Sequence, residues 1–159
     1  MLQDKVNRVI EICGGWGLYE AGASTAQKQM IKAGEEWGEL CSHIASEDKD
    51  KIMDDIGDIL VCFINAKKIY GEADDSLPEF TPISYGHSNY YSVGYIGQNI
   101  AHSITNMSML YESYFLGLLA GLAENYKLTL EQCLDQAISE IEKRKGRIVN
   151  GVFIKDMRV

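Results

Sequence analysis

Apolar residues recur at helical spacing through most of the chain. Val6, Val9, Ile10 and Cys13 mark a short first helix over Leu2–Cys13, and the GGWG stretch from Gly14 to Gly17 ends it. Met30, Ala33, Trp37, Leu40, Cys41 and Ile44 trace the buried stripe of a second helix, capped by Ser24 or Thr25 and running to about Ser46. Beyond a polar SEDK turn, Ile52, Ile56, Ile59, Leu60, Phe63 and Ile64 face inward on a third helix, from about Asp48 to Tyr70, which Gly71 stops. The pattern then lapses. From Glu72 to about Val93 the chain holds both of its prolines, Pro78 and Pro82, and several tyrosines, which reads as a long loop. Periodicity returns from about Tyr95 to Glu124, with a break near Asn106, and a last helix runs from the TLEQ capping box at Thr129 to about Lys145. The tail GRIVNGVFIKDMRV alternates only briefly and is read as either extended or draped over a neighbour. With no internal repeat, the pattern predicts one all-α domain over residues 1–159, a helical bundle with a long loop at about 72–93.

Charge narrows the partners. The 23 acidic and 15 basic residues leave a net charge of −8, which disfavours a sequence-independent grip on nucleic acid. Anionic substrates would need a bridging cation. Cys13, Cys41, Cys62 and Cys133 form no CxxC pair and read as core thiols of a reducing compartment. The first twenty residues carry Asp4, Lys5, Arg8, Glu11 and Glu20 in place of a targeting signal, and FLGLLAGLA (Phe115–Ala123) is far short of the roughly twenty residues that span a bilayer. A soluble, cytoplasmic protein without membrane partners is expected.

The distribution of acids changes the picture most. On a helical wheel, Lys32, Glu36, Glu39 and His43 share one flank of the second helix, with Glu35 beside them, and Lys51, Asp55, Asp58, Cys62 and Asn65 share one flank of the third. Folded as an antiparallel hairpin about Glu47, the rows register Glu39 with Asp55, Glu36 with Asp58, Lys32 with Cys62 and His43 with Lys51. Acidic strings are common on solvated helix faces. Two i, i+3 pairs meeting beside an apolar seam instead call for a cation. All-oxygen ligands suit Mg²⁺ or Mn²⁺ better than Zn²⁺, and carboxylate-held Mg²⁺ is the arrangement that binds nucleotide phosphates.

These residues resemble the all-α nucleoside triphosphate pyrophosphohydrolase superfamily, the group of MazG, the dimeric dUTPases and the dCTP pyrophosphatases. Its EExxE and ExxD motifs read here EEWGE (Glu35–Glu39) and DIGD (Asp55–Asp58), and the similarity covers chiefly Lys28–Gly71. The basic close EKRKGRIVNGVFIKD is a weaker echo. Asp55 stands where the family usually has glutamate, and the stretch from Gly71 to Tyr95 is longer than in compact members. The resemblance implies Mg²⁺-dependent cleavage between the α and β phosphates of a (deoxy)nucleoside triphosphate, giving monophosphate and pyrophosphate. It implies Glu36, Glu39, Asp55 and Asp58 as metal ligands, with Glu35 assisting a further ion or orienting the attacking water. For the substrate, Lys32, Arg144, Arg147 and Lys155 are candidate phosphate contacts, Asn65 a sugar or phosphate contact, and Trp16, with Tyr19, a surface on which a base could stack. The family's habit implies a homodimer or dimer of dimers, and the apolar run MLYESYFLGLLAGLA points the same way.

Other readings stay open. The tyrosine-rich loop Ser84–Tyr95 could be a lid or a subunit contact. His43, His87 and His102 show no zinc spacing, and none is expected to act as a catalyst. A di-iron bundle would need Glu-x-x-His pairs on two helices, which are missing. A non-catalytic binding module with an acidic groove would show no dependence on divalent metal.

Overall fold

The computed structural model describes residues 1–71, 74–86 and 88–157. The fold is all-α. Its helices are α1 (Leu2–Gly15), α2 (Ala26–Ser46), α3 (Lys49–Tyr70), α4 (Asn89–Thr105), α5 (Glu112–Asn125) and α6 (Leu130–Ile141), with a 3₁₀ turn at Met107–Met109. Two short strands follow, β1 (Gly146–Val149) and β2 (Val152–Lys155), paired antiparallel with Arg147 opposite Ile154 and Val149 opposite Val152.

Local chemistry sets the boundaries. Thr25 accepts from the Lys28 amide at 3.2 Å to cap α2, and Asp48 accepts from the Lys51 amide at 3.3 Å to cap α3. The Thr129–Gln132 capping box starts α6. Between α2 and α3 lie only Glu47 and Asp48, and Glu47 makes the turn in the left-handed region at φ 57°. So short a connection leaves the two helices packed along much of their length.

α3 is the hub, packed on α1, α2, α5 and α6, with an unbroken buried run from Ile59 to Lys67. The helix α6 comes so close at Gly57 that an added Cβ would run into the Cys133 carbonyl oxygen. Cys13, Cys62 and Cys133 are buried, Cys41 is half-buried, and all four are free thiols. Burial raises the Cys13 pKa to about 11, so that side chain stays a neutral thiol.

Two helix boundaries are corrected. The long loop ends earlier, because α4 begins at Asn89 and not near Tyr95, with Tyr90 and Tyr91 exposed on its first turn. α6 stops at Ile141 and not near Lys145, and the tail after it is extended, as expected, and paired into a β-hairpin. The apolar run of α5 is largely covered by the chain itself. The segment 81–83 lies across Gly117 and Gly121, where the Ile83 amide donates to the Gly117 carbonyl at 2.9 Å and any Cβ on Gly121 would overlap the Ile83 backbone. His87 and the first loop residues, Glu72 and Ala73, lie outside the described residues. Among the described residues, no helix is long and apolar enough to cross a membrane.

Replacing Gly57 by Ala should cost about 2 kcal/mol or more, since overpacking a tight crossing forces a backbone shift. Urea unfolding would show it as a lowered midpoint with an unchanged slope.

Candidate metal centre and ligand cavity

The α2–α3 seam brings Glu36, Glu39 and Asp55 together, so that one carboxylate oxygen from each lies within 4.8 Å of the others. Glu36 and Asp55 are buried and Glu39 is exposed, which gives the trio a dry side and a wet side. Asp58, one turn after Asp55, lies outside the trio but faces Glu36 closely enough for the two charges to repel. The aspartate immediately before Asp55, Asp54, adds a further negative charge and leaves its Oδ1 buried without a partner.

Cations answer only part of this. Lys32 reaches Glu36 at 2.8 Å and Glu35 at 2.9 Å. Burial alone would pull the Lys32 pKa down, but those two bonds more than offset it and leave the ammonium above its ordinary range. His43 Nδ1 lies 2.5 Å from Asp55 Oδ2. The pairing expected between His43 and Lys51 is therefore replaced by one with Asp55.

The carboxylates still carry excess charge. Burial, with repulsion from Glu39 and Asp54, raises the Asp55 pKa to about 6, although the His43 hydrogen bond pulls the other way. Burial, with repulsion from Glu36 and Asp54, raises Asp58 to about 7 against the opposing pull of Arg144 and Lys32. Clustered all-oxygen donors, an orphaned carboxylate oxygen and raised pKa values together fit a hard divalent cation.

Glu36 also lines a cavity of about 340 Å³. Gln29, Lys32 and Glu36 of α2 form one wall, and Asp58, Cys62 and Asn65 of α3 form the facing one. The other end is closed by Trp16 and by Phe153 of β2, whose ring centroids are 4.1 Å apart at 33°. Arg144 and Lys155 supply positive charge from the chain's last quarter. Asn65 is 4% exposed and held by Tyr19, whose hydroxyl donates to its Oδ1 at 2.6 Å. Gln29 donates through Nε2 to the Gly151 carbonyl at 3.2 Å, and Lys28 Nζ to the Asn150 carbonyl at 2.7 Å, which ties the hairpin tip to the start of α2.

The structure thus gathers Trp16, Lys32, Glu36, Asp58, Asn65, Arg144 and Lys155 around one cavity. Arg147 does not join them. It points to a separate groove with Lys28 and Glu20, 3.9 Å from Asp156. Glu35 stays on the solvent side of Lys32, outside the trio. The tyrosine cluster of Tyr85, Tyr91 and Tyr95 packs on itself and lines none of this cavity. Phe153, Gln29, Asp54 and the His43 contact were missed in the sequence. Their one visible signal is the Asn150-Gly151 turn, which would have folded Phe153 back along Gly146–Val149. A wider groove of about 740 Å³, along Leu2, Leu77 and Phe80, has Glu79 as its one charged lining residue among the described residues.

In the absence of divalent metal the raised pKa values set the sign of a pH effect. Folded Asp55 and Asp58 hold protons that the unfolded chain has released, so their contribution is fully present below about pH 4 and is lost as pH rises through 6 to 7. The melting midpoint in EDTA should therefore fall by several degrees between pH 5.5 and 8, and Asp58→Asn should flatten that slope. Calorimetry across this range checks both, and a midpoint rising with pH would refute the assignment.

No family model and no solved structure matches the chain. Over 41 residues it is 54% identical to an uncharacterized 18.2 kDa protein of the rep-hol intergenic region of Haemophilus phage HP1 (strain HP1c1). That match covers 26% of this chain and 25% of the phage protein.

Proposed function

We propose that the protein is a Mg²⁺-dependent nucleoside triphosphate pyrophosphohydrolase, with Mn²⁺ as an alternative ion. The observation that carries this reading is the meeting of the Glu36–Glu39–Asp55 trio with a cavity that has cations beside it and an aromatic pair at its far end. Gln29 and Glu39 are ten residues apart on α2, or about 15 Å along the helix. That length suits an elongated ligand, polyanionic at one end and planar at the other.

In this reading Glu36, Glu39 and Asp55 hold the cation, and Asp58 holds a second ion or a water of its shell. The ion supplies neutralisation of phosphoryl oxygens and acidifies bound water. Lys32 and Arg144 draw the phosphates in, with Lys155 at the mouth. Asn65, fixed by Tyr19 and donating one N–H to Cys13 Sγ at 3.6 Å, gives its second N–H to the sugar or phosphate. Trp16 and Phe153 exclude water from the flat end and stack on a base. Glu35, exposed beside Lys32, accepts the proton of the attacking water. The resemblance in EEWGE and DIGD supports the same assignment. The reading includes a cytoplasmic location and assembly at least as a dimer, the latter supported by the large side chains of Tyr90, Tyr91, Met109 and Tyr111 that stay exposed.

Pyrophosphate release from a panel of ribo- and deoxyribonucleoside triphosphates should occur with Mg²⁺ and stop with EDTA. Glu39→Gln should lower kcat by about 100-fold or more, the scale of losing charge stabilisation in a transition state. A folded wild type that releases no pyrophosphate from any nucleotide would end the enzyme reading and leave an acidic binding groove.

A further inference from the structure

His43 lies one helical turn after Glu39, on the same helix as two of the three clustered carboxylates, and reaches across the seam to the third. Its Nδ1 is 2.5 Å from Asp55 Oδ2, and the Asp55 side chain is nearly fully buried. With Asp55 ionised, the state in which it would ligate a cation, the carboxylate only accepts, so the proton of this bond then sits on Nδ1 and His43 donates. The charged neighbours Glu39 and Asp54 repel Asp55, and as ionised carboxylates they offer it no hydrogen-bond donor.

We propose that His43 is a positioning residue for Asp55. By occupying Oδ2 it fixes the rotation of a short carboxylate that would otherwise turn away from Glu36 and Glu39, and so presets the trio for a divalent cation. This rests on the reading of the trio as a metal centre. Carboxylates that ligate metals are themselves hydrogen-bonded, and loss of the outer partner typically weakens metal binding 10- to 100-fold. The bland alternative is that the bond merely stitches α2 to α3 near their connection, where its loss would lower stability and leave ion affinity alone.

Mn²⁺ titration of the nucleotide-free protein, followed by the electron paramagnetic resonance of free Mn²⁺ at one fixed pH near neutrality, separates these. His43→Asn keeps an N–H near the Nδ1 position, His43→Phe keeps the ring and removes the donor, and His43→Ala removes both. The expected result is a Mn²⁺ Kd raised about tenfold or more in His43→Phe and His43→Ala, and restored to within about threefold of wild type in His43→Asn. Should His43→Ala fail to fold, the Phe and Asn pair carries the comparison. Wild-type affinity in His43→Phe, or an Asn variant as weak as the Phe variant, overturns the positioning role while leaving the metal centre standing. No Mn²⁺ binding by the wild type overturns both.

Discussion

Five carboxylates on one flank of a helix pair, Glu36, Glu39, Asp54, Asp55 and Asp58, impose a like-charge repulsion that the surrounding structure has to answer. In water such charges would be screened within about 10 Å, but beside the buried stripe of α3 they are not. The chain answers with Lys32 on Glu36, His43 on Asp55 and the field of Arg144 on Asp58, and the remainder appears as raised pKa values. A sequence selected for stability alone would place small apolar residues along this seam. Retention of uncompensated charge at a cavity wall marks a functional site far better than it explains a stable one.

The rest of the fold can be understood as support for that seam. Two residues connect α2 to α3, so Glu36 and Glu39 are delivered to Asp55 by a local turn. The cavity beside them depends on contacts distant in sequence. Trp16 comes from the end of α1, and Arg144, Phe153 and Lys155 follow the close α3–α6 crossing at Gly57. Hydrogen bonds from Lys28 and Gln29 to the carbonyls of Asn150 and Gly151 hold the hairpin tip in place. The carboxylate trio is therefore a short-range product of the chain, and the ligand cavity a long-range one.

This division also governs what could be read from the sequence. Helical periodicity and cap residues located α1, α2, α3 and α6 to within a few residues, and the wheel put Glu36, Glu39 and Asp55 on facing rows. It failed where single-residue geometry decides. His43 meets Asp55 and not Lys51, because a wheel treats helices as straight parallel cylinders and real packed helices cross at an angle. The start of α4 was hidden by Tyr90 and Tyr91, exposed residues that give no inward stripe. The hairpin was hidden by its brevity, four residues a side, although Asn150-Gly151 is a strong turn signal with both residues at positive φ.

The apolar run of α5 shows how a correct observation can support a weaker conclusion than it first carries. Phe115–Ala123 needs covering, and a second subunit is one means. Here α3, α4 and α6 cover much of it, and residues 81–83 cover the strip at Gly117 and Gly121, where the absence of side chains lets backbone approach backbone. Hydrophobicity along a helix states how much surface must be buried and is silent on what buries it. The proline-containing loop supplies part of that cover through residues 81–83. The apolar surface left for a second subunit to cover lies instead at Tyr90 and Tyr91 of α4 and at Met109 and Tyr111 before α5.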